Sequence, residues 1–335
     1  MIPALKKNTV EAKDITKLIE THTASLMKAF YESQSSFLCG IYKRYKSLET
    51  ANIILCFAKN VHLEIIRQRE KDLNFNVSLE NFWKNYHKIT KPTHKITSVV
   101  KTTGIPKETV RRKMKILIEN NFLIKDKNKK NYYWNVSIKD KEDFYKSNNQ
   151  EINNFGLFVS KIMNDLGVKL DSKIIIDEIN SQFSFYWYHY LSCQLDWLKW
   201  WQLKLKDNDL LLIALQATIP TLQFINKKEN KINIENVYEH IGKIDTNKYN
   251  SCSVSATSVS DITGIPRATC IRKLDKLVYL GFLIRETKTK RYSINQTYNE
   301  RTKNIHNKEN IVFTINTFSE YISIIINSLI HNNKL

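Results

Sequence analysis

A stretch of 38 residues occurs twice in this chain, first from Ser98 to Asn135 and again from Ser258 to Asn295. The two copies align without a gap at a constant offset of 160 residues, and 16 of the 38 aligned positions are identical. Other positions exchange like for like, as Lys107 does with Arg267. A repeat of this length constrains the fold strongly, because both halves must then build the same kind of unit. The chain is therefore interpreted as an internal duplication.

Each copy carries the signals of two helices joined by a tight turn. The first helical segment ends in Thr-Gly-Ile-Pro, where Gly104 or Gly264 can adopt the positive φ that the turn requires. Pro106 and Pro266 open the second helix, a position at which a missing amide hydrogen is tolerated. Apolar residues at i, i+4 and i+7 predict one buried face on that helix, namely Val110, Met114 and Leu117 in the first copy and Cys270, Leu274 and Leu277 in the second.

The remainder of each copy predicts a basic helix face followed by a basic hairpin. The strand-like segments FLIK and YYWN, or FLIR and YSIN, flank a charged tip. This order describes a winged helix-turn-helix, whose second helix enters the major groove of DNA. The candidate DNA-binding residues on the second helix are Lys107, Glu108, Thr109, Arg111, Arg112 and Lys115 in the first copy, and Arg267, Thr269, Arg272 and Lys276 in the second. Those on the hairpins are Lys127, Lys129, Lys130, Lys288, Lys290 and Arg291, which would contact the DNA backbone or minor groove.

The charge distribution supports the same interpretation. Residues 91–135 hold 12 Lys and Arg against 3 Asp and Glu, and residues 251–295 hold 8 against 3. These segments carry +14 of the net charge of +19, and such focused positive charge attracts a phosphate backbone. A basic helix face can also be a merely solvated surface, and a helix-turn-helix can bind protein. The duplication and the charge together favour double-stranded DNA.

The rest of the chain predicts helices on both sides of each repeated stretch. Apolar residues at helical spacing predict helices over 26–46, 49–67, 76–89 and 153–166, with a polar surface connection over 139–151. The second half repeats the plan over 176–206, 209–225, 235–244 and 310–329. The predicted fold is mainly α with small β-hairpin wings (α+β). It comprises two units, 1–170 and 171–335, with winged parts at about 91–137 and 251–297.

Helices flanking a winged helix-turn-helix, with the text TGIPKETVRRKMKILIENNFLI, resemble the MarR family of bacterial transcription regulators. Flanking helices form the dimer interface in that family. The resemblance therefore implies a covalent pseudo-dimer packed through residues 24–67, 153–166, 183–225 and 310–329. It also implies a monomer that places two recognition helices in successive major grooves of a pseudo-palindromic site. MarR proteins are usually single-unit chains that dimerise, and this linked chain departs from that pattern.

The sequence contains no motif of an enzyme. It lacks a glycine-rich phosphate loop, a nucleophile motif and metal-ligand spacing, so neither catalysis nor a cofactor or metal is expected. Its opening residues have no apolar targeting region and its apolar runs are too short to span a membrane, which predicts a soluble cytoplasmic protein. Two alternatives remain open: a tandem winged-helix replication initiator and a structural DNA-binding protein.

An aromatic-rich segment in the second half permits two interpretations. Its residues could fill the core between helices, as aromatic rows at helical spacing commonly do. They could instead line a pocket for a planar small-molecule effector. The residues concerned are Phe183, Phe185, Tyr186, Trp187, Tyr188, Tyr190, Trp197, Trp200 and Trp201.

Overall fold

The structure, a computed structural model, describes residues 9–126, 131–227, 232–244, 251–295 and 308–332. It is 74% helical, and its strands form two separate antiparallel hairpins. The predicted class, mainly α with small β-hairpins, is confirmed.

The described part of the first half contains seven α-helices and one hairpin. The helices are α1 (Ala12–Thr21), α2 (Thr23–Tyr45), α3 (Leu48–Lys71), α4 (Leu79–Asn85, continued by a 3-10 turn at Tyr86–Lys88), α5 (Ile96–Thr103), α6 (Lys107–Glu119) and α7 (Ile138–Asp165). Strands β1 (Leu123–Lys125) and β2 (Tyr132–Trp134) pair with Leu123 opposite Trp134.

The described part of the second half has the same order of elements. Its helices are α8 (Ser172–Ser181), α9 (Phe183–Leu205), α10 (Asn208–Asn226), α11 (Val237–Gly242), α12 (Ala256–Thr263), α13 (Arg267–Tyr279) and α14 (Lys308–His331). Strands β3 (Leu283–Arg285) and β4 (Tyr292–Ile294) pair with Leu283 opposite Ile294. Both ends of α8, α9, α12, α13, β3 and β4 lie 160 residues after the corresponding ends of α1, α2, α5, α6, β1 and β2.

The tight turns form at the predicted glycines. Gly104 ends α5 with φ of +70°, and Gly264 ends α12 with φ of +74°. Pro106 and Pro266 were predicted at the first helical position, but each lies one position before it. Each is the cap that precedes the helix, with an extended ψ of 142° or 135°. The proline therefore fixes the chain direction at the helix start and leaves the first helical position to Lys107 or Arg267.

Both turns rest on a long helix of the opposite half. A Cβ atom at Gly104 would lie 3.1 Å from Lys199 Cγ in α9, and one at Gly264 would lie 3.3 Å from Lys43 Cγ in α2. Each helix–turn–helix is thus held by helices from both halves of the chain.

Replacing Gly104 or Gly264 by alanine is expected to lower the free energy of unfolding by about 1–2 kcal/mol, because the residue must keep a positive φ beside a lysine stem. Gly40 is the matched control, since it lies inside α2 with nothing within 4 Å of an added Cβ. Gly40→Ala is expected to raise stability by up to about 1 kcal/mol. Urea unfolding of the three variants measures these changes, and equal effects at all three glycines would contradict the explanation.

The predicted surface connection at 139–151 is wrong. These residues form the first half of α7, whose start is capped by Ser137 Oγ, the acceptor of a hydrogen bond from Asp140 N at 3.2 Å. Charged residues on one side of the helix remain in solvent, as the Glu142–Lys146 pair does. Phe144 packs against the core on the other side, and Glu151 is buried. The polar composition hid a helix because the apolar residues on its buried face are few.

The two halves pack reciprocally around one continuous core. Helix α3 lies along α9 and α2 along α10, while α1 packs on α14 and α7 on α8. When each helix is replaced by its equivalent in the other half, the α3–α9 pair becomes the α10–α2 pair, and the α1–α14 pair becomes the α8–α7 pair. Gln34 and Gln194, both fully buried, are themselves 160 residues apart, and the Gln194 amide donates to Gln34 Oε1 at 2.7 Å. Gln34 therefore contacts the residue that stands at the equivalent position in the other half.

Helix α10 is the one helix among the described residues that is long and apolar enough to cross a membrane. In the fold, 67% of its apolar window is buried, chiefly against α2, α13 and α9. The helix therefore has the environment of a core helix.

Glu151 and His62 are two of the titratable side chains buried in this core. Glu151 is 4% exposed and accepts a hydrogen bond from Tyr190 Oη at 2.5 Å. Burial raises the pKa of Glu151 to about 8. His62 is 2% exposed between the rings of Phe82 and Phe183, and burial lowers its pKa to about 3. Both groups are therefore uncharged at neutral pH.

These two groups give stability a defined pH dependence. Above its ordinary pKa of 4.5, Glu151 keeps its proton only in the folded state, so its contribution to stability is lost as pH rises to about 8. Below 6.5, His62 gains a proton only in the unfolded chain, so stability is lost as pH falls towards 3. Glu151→Gln is expected to remove the decline between pH 6.5 and 8, and His62→Leu the decline at acid pH. Urea unfolding across this range measures both; an unchanged alkaline slope in Glu151→Gln would contradict the assignment.

Candidate nucleic-acid interface

Two groups of elements carry the candidate DNA-binding residues. We call α5, α6, β1 and β2 unit one, and α12, α13, β3 and β4 unit two. The predicted inner faces of α6 and α13 are buried in the core: Val110, Met114 and Leu117 in unit one, and Cys270, Leu274 and Leu277 in unit two. Burial of these faces fixes the rotation of each helix and directs the opposite, basic face towards solvent.

In unit one, the predicted face of α6 is exposed, with Thr109 half-buried. Arg111 Nη1 lies 2.8 Å from Glu108 Oε1, and Lys115 Nζ lies 3.9 Å from Glu119 Oε1. Lys107 and Arg112 have no ion pair or side-chain hydrogen bond with any residue that the structure describes. Of the candidate cations on α6, these two are therefore the ones that an external anion can reach without displacing a partner.

The corresponding face in unit two has different chemistry. Arg267, Arg272 and Lys276 are exposed, and Thr269 is half-buried. Arg267 Nε donates to Thr257 Oγ1 at 3.1 Å, which ties the start of α13 to α12. Arg272 and Lys276 have no such partner within the described ranges. The Glu108–Arg111 pair has no counterpart, because the equivalent residues are Ala268 and Ile271.

The hairpins differ in how their cations are held. Lys288 and Lys290 are exposed at the tip of unit two, where Lys290 has φ of +55°. Arg291 donates from Nε to Ser253 Oγ at 2.7 Å and from Nη2 to the Ser253 carbonyl at 2.6 Å. Its guanidinium thus anchors the hairpin to the segment before α12. The predicted residues of the other tip, Lys127, Lys129 and Lys130, lie outside the described residues.

Two lysines absent from the predicted set hold the second helices in place. Lys273 Nζ lies 2.6 Å from Asp207 Oδ2 and 3.2 Å from Asp209 Oδ2, at the corner between α9 and α10. Lys113 Nζ lies 3.8 Å from Glu49 Oε2 and 3.1 Å from Ser47 Oγ, at the corner between α2 and α3. The sequence feature that could have identified these two residues is a lysine present in both copies, at a position between the apolar and basic faces of the helix.

The acidic corner also connects the two halves. Asp209 Oδ1 accepts a hydrogen bond from the Leu48 amide at 2.9 Å, so one carboxylate contacts both α13 and the start of α3. Burial raises the pKa of Glu49, and the nearby Asp207 and Asp209 carboxylates also raise it. A shift of either second helix would therefore disturb charged groups in both halves of the chain.

Further exposed cations near the interface were missed by the sequence interpretation. In unit one they are Lys95, Lys101 and Lys125. In unit two, Arg285 is exposed but lies 3.4 Å from Asp275 Oδ1. Lys95 and Lys101 precede α6 in the chain, while Lys125 follows α6 and Arg285 follows α13. Their position near α6 and α13 became clear only from the fold.

Most of the aromatic-rich segment packs in the core. Phe183, Tyr186, Trp187, Tyr190 and Trp197 on α9 are at most 6% exposed. Outside this group, the Trp200 ring stacks on Phe313 with centroids 4.1 Å apart. Packing thus accounts for most of these side chains, and Trp187, Trp197 and Trp201 also line cavities between the helices.

Comparisons of this chain with protein-family models, curated proteins and solved structures find no match.

Proposed function

We propose that this chain is a sequence-specific double-stranded DNA-binding transcription regulator. Units one and two would be winged helix-turn-helix heads, with α6 and α13 as recognition helices. The observation that carries the proposal is the pair Arg112 and Arg272. They occupy equivalent positions on two helices with buried inner faces, and both are exposed without an intramolecular partner among the described residues.

The residue roles follow from position and partner. Arg112 and Arg272 present planar guanidinium groups, which recognise guanine edges or phosphate through two hydrogen bonds. Lys107 and Lys276 supply point charges near the same surface. Lys288 and Lys290 at the hairpin tip would contact phosphates and contribute affinity that does not depend on sequence.

The reciprocal packing supports one chain acting as a pseudo-dimer. We interpret the halves, 1–170 and 171–335, as products of a duplication, with the Gln34–Gln194 contact near the axis between them. A monomer would then offer two heads to one face of a duplex, with half-sites about 10 bp apart. Since Glu108 and Arg111 are matched by Ala268 and Ile271, the preferred site would be an imperfect palindrome. A regulator of this kind would act in the cytoplasm.

Selection of bound duplexes from a random library, followed by footprinting, tests the proposal. The expected result is two related half-sites about 10 bp apart, both protected on one face of the duplex. Protection of a single half-site would contradict the two-headed arrangement. Repeated tandem sites would instead favour a replication initiator. Weak discrimination between selected and random DNA at physiological salt would favour a structural DNA-binding protein.

The hairpin of unit two permits a separate test. Replacing Lys288 and Lys290 by alanine is expected to weaken binding to selected and random duplexes alike, because phosphate contacts carry no sequence information. The slope of log affinity against log salt is negative, and its magnitude should decrease by about 1–2, because each lost phosphate contact contributes about one. Fluorescence anisotropy titrations at several salt concentrations measure both quantities. A loss confined to the selected duplex would contradict the assigned role.

A further inference from the structure

The exposed faces of α6 and α13 differ at two equivalent positions that are neighbours in space. On α6, Arg111 Nη1 lies 2.8 Å from Glu108 Oε1, so these residues, three apart on the helix, share one patch of surface. The Glu108 and Arg111 side chains are 78% and 52% exposed. The residues at the equivalent places on α13 are Ala268 and Ile271. A charged pair on one helix is therefore replaced by two apolar side chains on the other.

The apolar pair on α13 forms a patch of fixed shape among cations. Ala268 is exposed, and Ile271 is half-buried because it also packs against the core. The alanine side chain has no rotamers to lose, and packing restricts the isoleucine. Arg267 and Arg272, the neighbours of this pair in the chain, are both exposed. The patch can therefore meet an apolar group of a ligand whose anionic groups are met by the arginines.

Packing does not require apolar side chains at these two positions. Unit one has the same elements as unit two and carries Glu108 and Arg111 there. Beside the variable pair, Thr269 and Arg272 repeat Thr109 and Arg112. Each head thus combines a threonine and an arginine that both units share with a pair that differs in chemistry.

The charged pair of unit one matches the edges of a G·C base pair. In the major groove, a glutamate accepts a hydrogen bond from the amino group of cytosine, and an arginine donates two to guanine. Phosphate groups repel a carboxylate, so Glu108 is favourable at a DNA surface only beside a cation and opposite a base donor. Arg111 is that cation, and cytosine offers that donor.

The apolar pair of unit two matches an A·T base pair. Ala268 and Ile271 can neither accept from cytosine nor donate to guanine, whereas apolar side chains contact the methyl group of thymine. We propose, resting on the DNA binding proposed above, that the two half-sites differ at equivalent base pairs. The Glu108–Arg111 pair selects G·C, and the Ala268–Ile271 patch selects A·T through the thymine methyl group.

Exchanging the two pairs tests this assignment. Ala268→Glu combined with Ile271→Arg gives α13 the pair of α6 and leaves the net charge unchanged. Repeated selection from a random duplex library should then return G·C in place of A·T in one half-site, and affinity for the parent duplex should fall about tenfold to a hundredfold. The matched reverse exchange, Glu108→Ala with Arg111→Ile, should change the other half-site from G·C to A·T. Circular dichroism verifies that both variants are folded. Unchanged selected sequences in both exchanges would overturn the assignment.

Deoxyuridine in place of thymine tests the methyl contact by itself, because it removes only that group. Replacing each thymine of the unit-two half-site in turn should weaken binding of the parent chain about fourfold at one position. At that position the Ala268→Glu, Ile271→Arg variant should bind both duplexes equally. Equal affinity of the parent chain for every such duplex would overturn the methyl contact. A library that returns no preferred duplex would overturn the proposed function itself, whereas a preferred duplex whose half-sites respond to neither exchange would overturn this inference alone.

Discussion

Replacing Arg112 and Arg272 together by alanine is expected to lower affinity for the selected duplex about a thousandfold. Each arginine is exposed on a second helix without a partner in the described part of the chain, so its contacts to DNA would be lost outright. A loss of about 2 kcal/mol for each contact gives this factor. Fluorescence anisotropy at fixed salt measures the change. Each single variant should relax specificity in one half-site only.

A matched control separates recognition from net charge. Lys71 and Lys169 are exposed lysines outside both units, and replacing both by alanine removes the same charge. That variant should bind the selected duplex within about threefold of the parent chain, because charges beyond a Debye length are largely screened. Exposed positions should also leave the free energy of unfolding within about 0.5 kcal/mol in both double variants. Equal losses of affinity in the two double variants would show that binding depends on net charge and not on α6 and α13.

Lys273→Met is expected to lower the free energy of unfolding by about 3 kcal/mol. The substitution leaves the carboxylates of Asp207 and Asp209 without the ammonium group that lies 2.6 and 3.2 Å from them. Breaking a buried pair in this way is strongly destabilising. The equivalent Lys113→Met should lower stability by only about 1 kcal/mol, because its single carboxylate partner is 3.8 Å away.

Urea unfolding of the two methionine variants provides the comparison. Adding Asp207→Asn and Asp209→Asn to Lys273→Met should recover part of the lost stability, because the uncompensated charges are then removed. Equal losses in the Lys273 and Lys113 variants, or no recovery in the triple variant, would contradict the role of this charge cluster.

The sequence predicted those parts of the structure that local signals determine. Gly104 and Gly264 marked the turns, and the apolar spacing in α6 and α13 identified the buried faces, because backbone preference and helical periodicity act over a few residues. The exposed face of each second helix followed from the same periodicity. The exposure of the candidate residues on α6 and α13 could therefore be predicted, and their contact with DNA stays a prediction.

Other features depend on parts of the chain that are far apart in sequence. The start of α7 was predicted as a surface connection because its few buried residues meet partners on other elements. Lys273 is a tether because Asp207 and Asp209 arrive from a different corner of the fold.

The reciprocal packing of the halves also has a consequence during synthesis. Helices α2 and α3 pack on α10 and α9, which the ribosome makes only after the first unit is complete. Synthesis proceeds at about 5–20 residues per second, so α3 lacks its partner α9 for several seconds or longer. Throughout that interval a nascent chain presents two long apolar helix faces to its surroundings. Neighbouring chains on one messenger could then exchange halves, and final folding must compete with that intermolecular pairing.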